Sequence, residues 1–122
     1  MIDFQNKSFL KMKEDSNYQK RVVDLIVPGE QILGSYKSVR DGVVFTSMRI
    51  IVINVQGLTG KKVDFTSLPY KRINAYSIET AGSFDMDAEL DIFISGLGQL
   101  RFEFRGRSDI KEISKFISQS IL

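Results

Sequence analysis

Residues 87–106 read DAELDIFISGLGQLRFEFRG, and the fold can be reasoned outward from this stretch. Leu90, Ile92 and Ile94 alternate with Glu89, Asp91 and Phe93. Side chains two apart on an extended chain share a face, so this is a strand with one apolar side. Gly96-Leu97-Gly98 reverses the chain, after which Leu100, Phe102 and Phe104 alternate with Arg101, Glu103 and Arg105. Two alternating runs joined by a glycine turn make an antiparallel hairpin. Beyond Gly106 the period changes. Ile110, Ile113, Phe116, Ile117 and Ile121 recur at the three-to-four spacing of one helix face. Ser108 or Asp109 can cap its start, and Asp109, with Glu112 three residues later, suits a capping box.

Upstream, period-two alternation continues back to Glu30, broken by Gly, Asn, Asp and Ser. It predicts strands near 30–39, 43–47, 49–55, 61–66 and 73–80, which with the two of the hairpin make seven. The run 49–55 is apolar at Ile50, Ile51, Val52, Ile53 and Val55, so it should be covered on both faces and sit centrally. Pro69 ends the fourth strand, because proline cannot donate to a ladder. A weaker helix near 15–26 groups Tyr18, Val22, Leu25 and Ile26, and Pro28-Gly29 stops it. The expectation is a mainly β domain over 29–122 behind a short helical arm over 1–28. Seven strands form two antiparallel sheets of a half-open barrel, and the C-terminal α-helix closes its mouth.

The chain has 122 residues, enough for one core and too few for two. It has 43% hydrophobic residues and nine Phe, so disorder is not expected. Cysteine and histidine are both absent, which removes disulfides, thiolate metal sites and the commonest proton-transfer side chain. No apolar run is long enough to span a membrane, and no secretory core stands at the N-terminus, so a cytoplasmic location is the default expectation. Seventeen basic and fifteen acidic residues leave a net charge of +2, too weak a field to argue for nucleic acid.

Two glycine-rich strings, 57–62 and 96–101, lead into strands rather than helices and are turns, not phosphate loops. Ser47, Ser95 and Thr46 have no histidine to activate them, so nucleophilic catalysis and bound cofactors are not expected. Thr46 and Arg49 read as a pair tying a tight reversal together. The acidic series Glu79, Asp85, Asp87, Glu89 and Asp91 could hold a hard cation. It reads better as a strand's outer face opposite Arg101, Arg105 and Arg107, with no metal. Tyr70, Tyr76 and Phe93 are candidates for outward aromatics at an interface.

The strings Gly29-Glu30, Asp41-Gly42-Val43-Val44-Phe45-Thr46 with Arg49, Gln56-Gly57-Leu58-Thr59-Gly60-Lys61-Lys62 and Leu68-Pro69-Tyr70 resemble the bacterial pleckstrin homology (PH-like) family. So do residues 79–90, where Glu79, Thr80, Gly82, Asp85, Asp87 and Glu89 form a signature loop and acidic strand face, and Ile94-Ser95-Gly96. The resemblance runs from about residue 28 to the C-terminus. It implies the PH-like half-open barrel and ring-like homo-oligomers. The leading expectation is therefore a non-catalytic, cytoplasmic module whose partners are copies of itself and perhaps another protein. The alternative is an anionic ligand or membrane surface at the turn holding Lys37 and Arg40, with Arg49 as a third cation. Against it, the cations are few for a multiply charged headgroup, and Asp41 shares the turn.

Overall fold

The computed structural model describes residues 1–5, 9–83 and 86–122. In chain order it contains β1 (Phe9–Glu14), a 3-10 helix Ser16–Val22, then β2 (Ile32–Lys37), β3 (Gly42–Thr46), β4 (Arg49–Gln56) and β5 (Lys62–Pro69). A 3-10 turn Tyr70–Arg72, β6 (Ala75–Thr80), β7 (Ala88–Ile94), β8 (Gly98–Phe104) and α1 (Ile110–Ile121) follow.

The strands form one open sheet in the order β5-β4-β3-β2-β1-β8-β7-β6. This corrects the expectation of seven strands in two sheets, while the mainly β, PH-like class stands. The added strand is β1, which joins two antiparallel blocks by pairing antiparallel with β2 and parallel with β8. Alternation could not reveal it. Phe9 and Met12 are three residues apart, yet both enter the core opposite Phe102 and Phe104. Lys11, at φ 56, absorbs the extra residue between them.

β7 and β8 pair with Leu90 opposite Phe102 and Asp91 opposite Arg101, as their alternation requires. Leu90, Ile92, Leu100, Phe102 and Phe104 point inward, and Tyr36 and Phe45 lie against Phe104 with ring centroids 4.8 and 5.9 Å away. α1 lays Ile110, Ile113 and Ile117 into this core. The capping box does not form. Asp109 precedes α1 at φ −92, ψ 29, not extended, and its side chain makes no cap bond. Its N–H donates instead to the Tyr36 hydroxyl at 2.8 Å, tying the helix start to β2.

β4 is covered on both faces, as its continuous apolar run demands. Ile50 and Val52 face the main core, whereas Ile51, Ile53 and Val55 join Val44, Tyr18 and Val22 in a second cluster. The expected helix over 15–26 is realised as the shorter 3-10 helix, which lies across β2 and β3 and adds Tyr18 and Val22 to the cluster on the outer face of β4. Asp15 caps it by accepting from the Asn17 N–H at 3.0 Å. Gly42 is what lets the Tyr18 ring approach. A Cβ there would lie 2.6 Å from Tyr18 Cε2 and 2.2 Å from the Tyr36 carbonyl oxygen.

Candidate functional site

Lys37 ends β2, and Arg40 stands in the turn to β3. The Arg40 guanidinium donates from Nη1 to the Gly57 carbonyl at 2.7 Å, tying this turn to the one between β4 and β5. The Arg40 carbonyl accepts from the Tyr18 hydroxyl at 2.7 Å. Burial pushes the Tyr18 phenol up to about 12, so it remains a donor at neutral pH. A face of the same ring lies under Arg21, whose Cζ is 5.5 Å from the centroid, a cation–π contact. Tyr18 thus fixes a cation from the N-terminal arm beside the two from the turn. Arg21, Lys37 and Arg40 line a cleft of about 300 Å³, together with Val39, Leu58 and Thr59.

Arg21 was not among the residues singled out in the sequence. Its only signal is the Tyr18-x-x-Arg21 spacing, which acquires meaning once the arm is known to lie on β2 and β3. Asp41, read as a charge opposing an anion in this turn, is buried and otherwise engaged. Its Oδ1 accepts from the Val55 N–H at 2.8 Å and from Asn54 Nδ2 at 3.1 Å.

Arg49 is not brought to the cleft. It begins β4, at the far end of β3 from Arg40. Its guanidinium donates to Glu30 Oε2 at 2.8 Å and Oε1 at 3.0 Å, to the Leu25 carbonyl at 2.7 Å and to Ser67 Oγ at 3.0 Å. The Thr46 hydroxyl donates to the same carboxylate at 2.6 Å, and accepts from the Met48 and Arg49 N–H groups at 3.1 and 3.0 Å. Thr46 and Arg49 therefore tie the reversal together, with the Glu30 carboxylate at the centre.

The acidic residues lie at the opposite edge of the sheet. Glu79 on β6, Glu89 on β7 and Glu103 on β8 stand side by side across three strands. With Asp87 and Arg105 they line a hollow of about 310 Å³. Arg101 reaches Asp91 at 2.8 Å and Glu89 at 3.7 Å, and Arg105 reaches Glu103 at 3.1 Å and Asp87 at 3.3 Å. The Gly106 N–H and Arg105 hold the Asp87 carboxyl below the usual range. Thr80 ends β6, and Gly82 turns the following loop at φ 113. Asp85 lies outside the described residues. Among those described, no group of three or more carboxylates is placed to hold a metal ion. Of the aromatics expected outward, Tyr70 is fully buried and Tyr76 hydrogen-bonds α1 at the Ser114 carbonyl, which leaves Phe93 exposed.

The profile of the family described as Bacterial PH domain matches residues 3–121. This chain belongs to that family. Among its relatives, the uncharacterized protein YjqA of Bacillus subtilis (strain 168) is 42% identical over 102 residues, 82% of each chain. A crystallised DUF1696 family protein with a pleckstrin-homology domain from Shewanella loihica PV-4 is 39% identical with a TM-score of 0.73, covering 93% of this chain and 99% of its own. A pleckstrin homology domain from Shewanella amazonensis SB2B is 41% identical with a TM-score of 0.58, covering 96% and 93% respectively. Among the described residues of this PH domain, no helix is long and apolar enough to cross a membrane.

Proposed function

We propose that this bacterial PH domain is a non-catalytic interaction module of the cytoplasm that assembles with copies of itself. The observation that carries this reading is the open sheet, which ends in β5 on one side and β6 on the other. An outermost strand presents unpaired N–H and C=O groups, a template for another chain. On β5 that edge is accompanied by Phe65, 40% exposed on the outer face. Head-to-tail pairing of unlike edges closes into a ring when the rotation permits, and a ring leaves no edge unpaired. Light scattering tests this: a discrete species larger than a dimer is expected, and Phe65→Lys should lower its mass. A clean monomer at roughly tens of micromolar, where a contact of about micromolar Kd would be populated, removes the reading.

A second reading, an anionic ligand or surface between the β2–β3 and β4–β5 turns, is favoured by the convergence of Arg21, Lys37 and Arg40 on one cleft. Titration with inorganic phosphate followed by NMR should shift the amides of residues 37–40 and 57–60. The absence of any shift there removes it.

A further inference from the structure

We infer that the outer edge of β6 takes a basic extended segment of another protein as an added strand. The inference goes beyond self-assembly and does not depend on it, because a copy of this chain seated on β6 would exclude such a partner. β6 ends its side of the sheet, and its ladder with β7 fixes which backbone groups are spare. The Ala81 N–H donates at 3.1 Å to the carbonyl of Asp87, the residue directly opposite when the β6–β7 register is continued. Bonded and non-bonded pairs alternate along an antiparallel ladder. Residues 75, 77 and 79 therefore bond β7, while the N–H and C=O groups of Tyr76, Ile78 and Thr80 point away from it. Among the described residues no strand takes these groups up, and an extended chain laid along them would.

The side chains on the two faces of that edge select the occupant. Outward, Glu79, Glu89 and Glu103 form a row across β6, β7 and β8, and like charges directly opposite each other are destabilising. Arg101 and Arg105 answer the carboxylates on and beside β7 and β8. Glu79, exposed on the outermost strand, has no ion-pair partner among the described residues. A Lys or Arg on an incoming strand, opposite Glu79, supplies that counter-charge. Inward, Tyr76 and Ile78 are only partly buried at the rim of the main core, as are Phe116 and Ile121 of α1. The Tyr76 hydroxyl donates to the Ser114 carbonyl at 3.2 Å, so α1 lies beside this inner face. Apolar side chains on the incoming strand, opposite Tyr76 and Ile78, continue the rim. The fitting segment thus alternates Lys or Arg with Val, Ile or Leu.

The probe is a blocked, fluorescein-labelled peptide Lys-Val-Lys-Val-Lys-Val, as long as β6, titrated with the full chain by anisotropy and followed by amide hydrogen exchange. On binding, the amides of Tyr76, Ile78 and Thr80 should gain severalfold protection, while those of Ser77 and Glu79, already bonded to β7, change little. Glu79→Lys should weaken binding about fivefold or more, since it turns an opposite-charge pair into a like one. That variant should fold, because it places a cation opposite Glu89. The peptide Glu-Val-Glu-Val-Glu-Val should prefer the variant to wild type. The lysine peptide with every amide N-methylated cannot pair with an edge and should not bind. Light scattering run in parallel reports on self-assembly alone: peptide binding supports the inference whether or not the oligomer mass falls. No binding, equal binding of the lysine and glutamate peptides to wild type, undiminished binding of the methylated peptide, or binding without protection at 76, 78 and 80 overturns it. The self-assembly reading then stands or falls on its own light-scattering result.

Discussion

Removing the Arg49 side chain should be among the costliest single changes in this molecule, and the reason lies in Glu30. The Glu30 side chain has 0% exposure. Burial by itself would raise its carboxyl, but the Arg49 guanidinium, the Thr46 hydroxyl and the Val27 N–H together hold it below the ordinary range. It is therefore a buried anion at neutral pH. Arg49→Ala deletes its counter-charge and also strands the Leu25 carbonyl and Ser67 hydroxyl. Breaking a buried ion pair from one side costs about 3–5 kcal/mol. Arg49 retains 21% exposure, so water can partly reach the vacated space and a loss near ~3 kcal/mol is expected. With a urea m-value of about 1–3 kcal/mol/M, the denaturation midpoint should fall by about 1–3 M. Replacing both partners, as in Glu30→Leu with Arg49→Met, should be far milder, because no uncompensated charge remains. The pH dependence has a definite sign. A depressed carboxyl contributes stability above its unfolded value of about 4.3 and loses it as pH falls through the folded value. The advantage of wild type over Glu30→Gln should accordingly shrink below about pH 4. An Arg49→Ala protein within about 1 kcal/mol of wild type would refute the reasoning, since that is the scale of an exposed pair.

Gly42→Ala should lose about 1–3 kcal/mol by thermal denaturation. The new Cβ meets the Tyr36 carbonyl and the Tyr18 ring, and the arm that holds Arg21 should loosen with it. Ile113→Ala empties a site of zero exposure under α1 and should cost about 2–5 kcal/mol in the same assay. Tyr36→Phe removes the acceptor of the Asp109 N–H and should cost about 1 kcal/mol, read as faster amide exchange in the first turn of α1. Burial pushes the Tyr18 and Tyr36 phenols up to about 12. That contribution is complete below the unfolded value of about 10 and is lost as pH rises toward 12, so alkaline unfolding should follow phenolate absorbance.

The parts of the fold that obey a simple period were legible from residues alone. β7, β8 and α1 sit where alternation and the helical spacing place them, and the two-faced run of β4 correctly implied a cover on each side. β1 was not legible, because a left-handed Lys11 makes Phe9 and Met12 share a face at odd spacing. The cap of α1 was misread for a similar reason: a distant hydroxyl, Tyr36, claims the N–H of Asp109. At the cleft, Lys37 and Arg40 follow from the turn they occupy. Arg21 depends on the docking of the arm, and Arg49 was drawn away by a carboxylate 19 positions earlier in the chain. Charge and proximity in sequence suggest a group, but tertiary partners decide its membership.

The place of β1 in the sheet bears on how the chain is made. Phe9 is translated long before its neighbour across the ladder, Phe102. Until β8 has emerged from the ribosome, β1 can lean only on β2, and the two antiparallel blocks cannot be stitched together. Such long-range closure slows folding and leaves a nascent edge open to capture by other strands. Premature termination anywhere before β8 should yield a product that is degraded or clumped rather than a smaller native domain.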